Sequence, residues 1–136
     1  MFFIGTDNHV HELFIGSGAG ASWADNDLTA LAGAVISTPG TALTGFPLGN
    51  GSQHVFFIGA DSHVHELDID SGGSWADHDL TTLAGAVPPI PATGLTGYPL
   101  GNDSKHVFFI GAGHHIHELF FTAGPGWVDN DLTALT

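Results

Sequence analysis

The sequence has no cysteine and no arginine, and its lone basic residue is Lys105. Without cysteine there is no disulfide framework, no thiolate metal centre and no thiol nucleophile, and the redox compartment stays open. One cation against 14 acidic residues leaves a formal charge of −13. Such a chain has too few cations to displace phosphate counterions or to hold an anionic membrane surface, which excludes nucleic acid and polybasic membrane docking. No apolar run approaches the ~20 residues of a bilayer span. The segment Met1-Phe2-Phe3-Ile4-Gly5-Thr6-Asp7 lacks a basic region and turns polar too early for a signal peptide. The expectation is a soluble protein of unassigned compartment. Gly-x-Ser-x-Gly, P-loop and His-Glu-x-x-His patterns are all missing, so the sequence predicts no enzyme and no cofactor.

What is present is repetition. Phe-Phe-Ile-Gly begins at Phe2, Phe56 and Phe108; His-Val/Ile-His-Glu-Leu begins at His9, His63 and His115. Trp-x-Asp-x-Asp-Leu-Thr begins at Trp23, Trp75 and Trp127, with 52 residues between successive copies. A fourth segment, Leu43 to Asn50, returns as Leu95 to Asn102. Gly accounts for 20 of the 136 residues and charged residues for only 11%, a balance that fits short strands joined by tight turns rather than disorder.

The segments read as strands. Val55-Phe-Phe-Ile58 is β-branched and aromatic, and His63-Val-His-Glu-Leu67 alternates with period two, so the pair predicts a hairpin. Ala30–Val35 and Thr82–Val87 have room for a helical turn, with Gly33 and Gly85 opposing anything longer. Asp25-Asn-Asp27, Asp77-His-Asp79 and Asp129-Asn-Asp131 lack the further ligands of a calcium loop and are expected to be Asx-turns that start strands. Four strands in a ~52-residue repeat predict an all-β propeller of four-stranded blades, with a solenoid or sandwich as rivals. Stacked blades bury both faces of a strand, which accounts for the adjacent Phe56 and Phe57. The expected blades are 1–31 (partial), 42–83 and 94–136, with Pro/Gly-rich connectors at 32–41 and 84–93. Fewer than three full blades leave open sheet faces, so the ring is expected to close by cyclic homo-oligomerisation, two chains giving about six blades.

His-x-His-Glu puts His63 and His65 on one strand face and Glu66 on the other, and likewise His115 and His117 opposite Glu118. Paired imidazoles could hold a divalent metal, with Asp61 or Asp70 behind them, or could instead satisfy polar networks between blades. The tryptophans are packing anchors or apolar platforms for a sugar ring, beside carboxylates that grip hydroxyls.

Val55-Phe-Phe-Ile-Gly-Ala-Asp-Ser-His-Val-His-Glu-Leu67, with Gly72-Gly-Ser-Trp75 after it, resembles the repeat of fucose-specific β-propeller lectins of fungi and bacteria. It is also similar to a group of bacterial repeat proteins of unassigned role. The resemblance runs over nearly the whole chain and implies sugar sites between adjacent blades, formed by an arginine, a glutamate and an aromatic residue. The glutamate matches Glu12, Glu66 and Glu118, and the aromatic matches Trp23, Trp75 and Trp127. The arginine has no counterpart; His54 and His106 stand at about its place, and an imidazole lacks the guanidinium's bidentate fork. The resulting expectation is a multivalent glycan binder in which Glu66 accepts from sugar hydroxyls, Trp75 stacks on the ring and His54 or His106 adds a donor, with avidity over several sites. The alternatives are a purely structural self-assembling propeller, natural, designed or trimmed, and a histidine-based metal site.

Overall fold

Each Phe-Phe-Ile segment and the His-x-His-Glu-Leu segment after it form an antiparallel hairpin with one register: Phe2, Phe56 and Phe108 stand opposite Glu12, Glu66 and Glu118. The turn between the two strands places Asn8, Ser62 and His114 at φ of 64°, 66° and 62°. In the first two hairpins an Asx-turn sets it, Asp7 and Asp61 accepting from the backbone N–H of His9 and His63 (both 3.1 Å).

The computed structural model describes residues 1–135. Its elements are β1 (Phe2–Ile4), β2 (Val10–Ile15), β3 (Trp23–Asp27), α1 (Leu28–Ala32), β4 (Thr44–Pro47), β5 (Gln53–Ile58), β6 (Val64–Ile69), β7 (Ala76–Asp79), α2 (Leu80–Ala84), β8 (Leu95–Leu100), β9 (Ser104–Ile110), β10 (Ile116–Thr122) and β11 (Gly126–Asp131). They form three antiparallel sheets, each running in chain order: β1-β2-β3, β4-β5-β6-β7 and β8-β9-β10-β11. The Trp-x-Asp-x-Asp segment is the last strand of every sheet, and the Leu-Thr-Gly-Phe/Tyr segment is the first strand of the second and third.

The aspartates act differently from the expectation. Asp27 and Asp79 end a strand rather than start one, and each caps a helix, accepting from the N–H of Ala30 (2.9 Å) and Thr82 (3.0 Å). The helical turn therefore begins two residues before the expected Ala30 and Thr82, taking Leu28-Thr29 and Leu80-Thr81 out of the strand. Gly33 and Gly85, at φ of 65° and 64°, close the helices as left-handed C-caps.

The second sheet is sandwiched. Its Val55, Phe57 and Leu67 pack with Val10 and Leu28 on the side of the first sheet. On its other face, Phe56 and Val64 pack with Val107, Phe109 and Leu119 of the third. Phe56 and Phe57 are both fully buried, as stacked blades require. The first strands of the full sheets approach the preceding sheet closely: a Cβ on Gly45 would meet the ring of Phe2 at 2.9 Å, and one on Gly97 would meet that of Phe46 at 3.3 Å. Among the described residues no helix is long and apolar enough to cross a membrane.

Candidate functional site

Alternation along β6 turns Glu66 and Asp68 toward the third sheet, where β9 and β11 offer Lys105 and Trp127. Together with His78 and Phe121 these residues line a crevice of about 270 Å³ between the second and third sheets. Glu66 is only 2% exposed. Its Oε1 accepts from Lys105 Nζ at 2.5 Å and from His54 Nδ1 at 2.7 Å. Ser52 Oγ, which donates to Asn50 Oδ1, lies 2.7 Å from the other ring nitrogen of His54 and holds the imidazole in place. The Lys105 ammonium also sits over two aromatic rings, 4.6 Å from the centre of Phe121 and 5.0 Å from that of Trp127.

The electrostatics follow from this packing. Burial by itself would raise the Glu66 carboxyl, but the His54 hydrogen bond and the Lys105 charge outweigh it and hold the group below its usual 4.5. Asp68 moves the other way, pushed up by burial and by the neighbouring Glu66 charge. His78 Nε2 approaches Asp68 Oδ1 to 3.0 Å as an ion-pair contact, at an angle that leaves this buried oxygen without a hydrogen bond. The crevice thus combines an ionised carboxylate, an ammonium, a second carboxyl with an unused acceptor and an indole. That set can accept from and donate to vicinal hydroxyls while supporting an apolar face.

The expected residues are brought together across repeats rather than within one. Glu66 and Trp75 share a sheet, but the register pairing Leu67 with Asp77 puts Trp75 on the opposite face from Glu66. Trp75 instead meets Phe2 of the first sheet edge-on at 6.4 Å, and the indole that shares a crevice with Glu66 is that of Trp127. Glu12 lies on the first sheet's side of the crevice that Trp75 borders, with Asn26 Nδ2 3.4 Å from its Oε2. Glu118 and His106 (2.7 Å apart) lie on the outer face of the third sheet, where Asn130 also donates to Glu118 (3.0 Å). The His106 Nε2 atom is buried there without a partner. Trp23, 64% exposed, stands on the outer face of the first sheet.

His54 hydrogen-bonds the Glu66 carboxylate from its own sheet, and the ammonium beside them belongs to Lys105 on the next sheet. Lys105 is the residue that sequence reasoning passed over. The available signal was its being the sole basic residue, at the start of a strand and next to His106.

The histidine pairs face carboxylates of the last strand in their own sheet. His63 and His65 meet Asp79 (2.8 Å) and Asp77 (2.9 Å), and His115 and His117 meet Asp131 (2.7 Å) and Asp129 (3.0 Å). Of the two aspartates expected behind the histidines, Asp61 reaches His65 Nε2 at 3.1 Å; Asp70 contacts neither.

No protein-family model and no curated protein matches the chain. Solved structures do. AofleA from Arthrobotrys oligospora superposes with a TM-score of 0.73 at 16% identity over 96% of this chain and 38% of its own. A fucose-specific lectin from Aleuria aurantia gives 0.71 at 21% identity, over 95% of this chain and 39% of its own. The chain therefore spans about two-fifths of the length of these two proteins. A fucose lectin from Kordia zhangzhouensis in complex with methyl-fucoside matches over 95% of both chains, at 16% identity and a TM-score of 0.56. These fucose lectins are β-propellers, and the resemblance noted on the hairpin and tryptophan motifs is therefore upheld at the level of the fold: the chain is an all-β protein with the β-propeller architecture of the fucose lectins.

Proposed function

We propose that the chain is a non-enzymatic glycan-binding protein whose sugar lies in the crevice between the second and third sheets. The observation that carries this reading is the convergence of Glu66, Lys105 and Trp127 from two adjacent sheets on one crevice. Both protein partners of Glu66 bind Oε1, so Oε2 accepts from a sugar hydroxyl. Lys105 donates to a neighbouring hydroxyl oxygen, and the C–H face of the ring rests against Trp127. Lysine is a point donor without the planar fork of arginine, so one hydroxyl rather than a bidentate pair is read by the cation. The structural neighbours support the ligand class, since one is a fucose lectin described in complex with methyl-fucoside.

Titration calorimetry with methyl-fucoside and a glycan array test this. Glu66→Gln and Trp127→Ala should abolish binding in this crevice, while Trp75→Ala, on the other face, should leave it intact. Absence of binding to any sugar at about 1 mM, roughly −4 kcal/mol, overturns the reading.

Copies of the chain complete the ring in the same proposal. Large exposed apolar side chains of the sheets cluster on the two terminal ones: Phe3, Ile15 and Trp23 on the first, Tyr98, Ile110 and Ile116 on the third; the strands of the second sheet have none. Stacking the third sheet of one copy on the first sheet of another repeats the internal interface and brings Trp23 of one copy toward Glu118 of the other. Light scattering should report a multiple of 14.1 kDa, reduced by Ile116→Lys; a single-chain mass for the folded protein excludes the ring.

A further inference from the structure

The three histidine ladders are built alike, and their small differences separate them chemically. In the first sheet His11 has Asp25 at Nδ1 (3.1 Å) and Asp7 at Nε2 (3.4 Å). In the second, His65 has Asp77 at Nδ1 (2.9 Å) and Asp61 at Nε2 (3.1 Å). A carboxylate at each nitrogen occupies both ring positions and leaves neither open to a metal. Consistently, Asp77 and Asp61 together raise His65 against the opposing effect of burial.

The third sheet breaks the pattern. Gly113 stands where the first two repeats have Asp7 and Asp61. His117, with a side chain only 6% exposed, has Asp129 at Nδ1 (3.0 Å) and no protein partner at Nε2. Among the described residues no carboxylate occupies its second ring position. Among the described residues, His115, His117 and Asp131 can each place a ligand atom within 4.8 Å of the others; Asp7, His11 and Asp27 of the first sheet do so too, but with one imidazole to two carboxylates, and no such group forms in the second sheet. Two imidazoles and a carboxylate are a donor set suited to a borderline transition ion rather than to calcium or magnesium. Asp129, already on His117, supplies the carboxylate that orients a ligating imidazole.

We propose that the third sheet binds one divalent transition-metal ion, with zinc as the representative, through His115, His117 and Asp131, a site separate from the sugar crevice and independent of the glycan reading.

The test is titration of the full chain with zinc chloride at about pH 7.5, above the ordinary histidine range, with circular dichroism verifying that each variant is folded. The expected result is saturable binding of one ion per chain, weakened at least about tenfold by His115→Ala and by Asp131→Asn, which keeps the oxygen that accepts from the Ala134 N–H. His63→Ala, the same change in the second sheet, should leave binding unaltered. Gly113→Asp, which rebuilds the second-sheet arrangement around His117, should weaken it. No saturable binding, equal loss on His63→Ala, or unchanged or tighter binding by Gly113→Asp overturns the proposal.

Discussion

The crevice between the first and second sheets and the one between the second and third share a backbone and differ in their electrostatics. Both have a phenylalanine edge against a tryptophan: Phe2 with Trp75 at 6.4 Å and 84°, and Phe56 with Trp127 at 6.1 Å and 75°. Both have a glutamate on the strand paired with that phenylalanine. In the second crevice the carboxylate is buried and bound by Lys105 and His54. In the first, Gln53 stands at the lysine position, and Glu12 is half-exposed with Asn26 beside it. The apolar contacts that stack the sheets are thus repeated, while the polar residues that set ligand chemistry vary from crevice to crevice. An edge-to-face aromatic pair tolerates any polar neighbour that stays solvated, whereas a buried carboxylate requires a partner.

The largest effect should come from removing that partner. Lys105→Met keeps the side-chain length and leaves Glu66 with His54 alone, and should cost about 3 kcal/mol or more in denaturant unfolding. Gln53→Met, the same change in the first crevice, should stay within about 0.5 kcal/mol. Equal losses at the two positions would mean that burial does not distinguish the crevices.

Next in size is the converse substitution. Gln53→Lys supplies the first crevice with the missing cation and should strengthen sugar binding there about tenfold, roughly 1.4 kcal/mol, adding a site in calorimetry. An unchanged stoichiometry would show that Glu12 is not placed to use a cation.

The pH dependence has opposite signs on the two faces of the second sheet. Glu66, facing the third sheet, is held below its usual 4.5. Its contribution is therefore full above that value and lost as pH falls through the folded-state pKa. Lys105→Met should flatten this acid limb. His65, on the face toward the first sheet, is raised above its usual 6.5 despite burial, by Asp77 and Asp61. Its contribution is full below 6.5 and is lost as pH rises through the folded-state pKa, so Asp77→Asn should flatten the decline on that side. Stability curves against pH for the two variants check both signs.

The smallest expected difference lies between the helix caps. Asp79 accepts from both the N–H and the hydroxyl of Thr82, while Asp27 accepts from the N–H of Ala30. Each change to alanine should cost about 1 kcal/mol, with Asp79→Ala the larger. Thermal unfolding ranks them, and the reverse order would remove the hydroxyl bond from the account.

Much of this architecture was legible in the residues. The Phe-Phe-Ile-Gly and His-x-His-Glu-Leu segments have strong strand propensity and short turns, so the hairpins could be read locally. The adjacent Phe56 and Phe57 pointed to a strand buried on both faces. The Asp-x-Asp segments were harder, because a turn that opens a strand and a cap that opens a helix use the same side-chain acceptor. Only the conformation of Leu28-Thr29 and Leu80-Thr81 separates the two.

The site was legible by residue type and not by partnership. Period-two alternation along a strand says that Glu66 and His65 face opposite ways, but not which neighbouring sheet each face will meet. That choice follows from how sheets stack, a matter of long-range packing between segments some 40 to 60 residues apart in the chain. Sequence by itself therefore determined the repeat, the hairpins and the presence of carboxylate, imidazole and indole in every unit. Tertiary structure alone decided that Glu66 works with Lys105 and Trp127 of the following repeat, because a buried charge takes the partner that packing delivers to it.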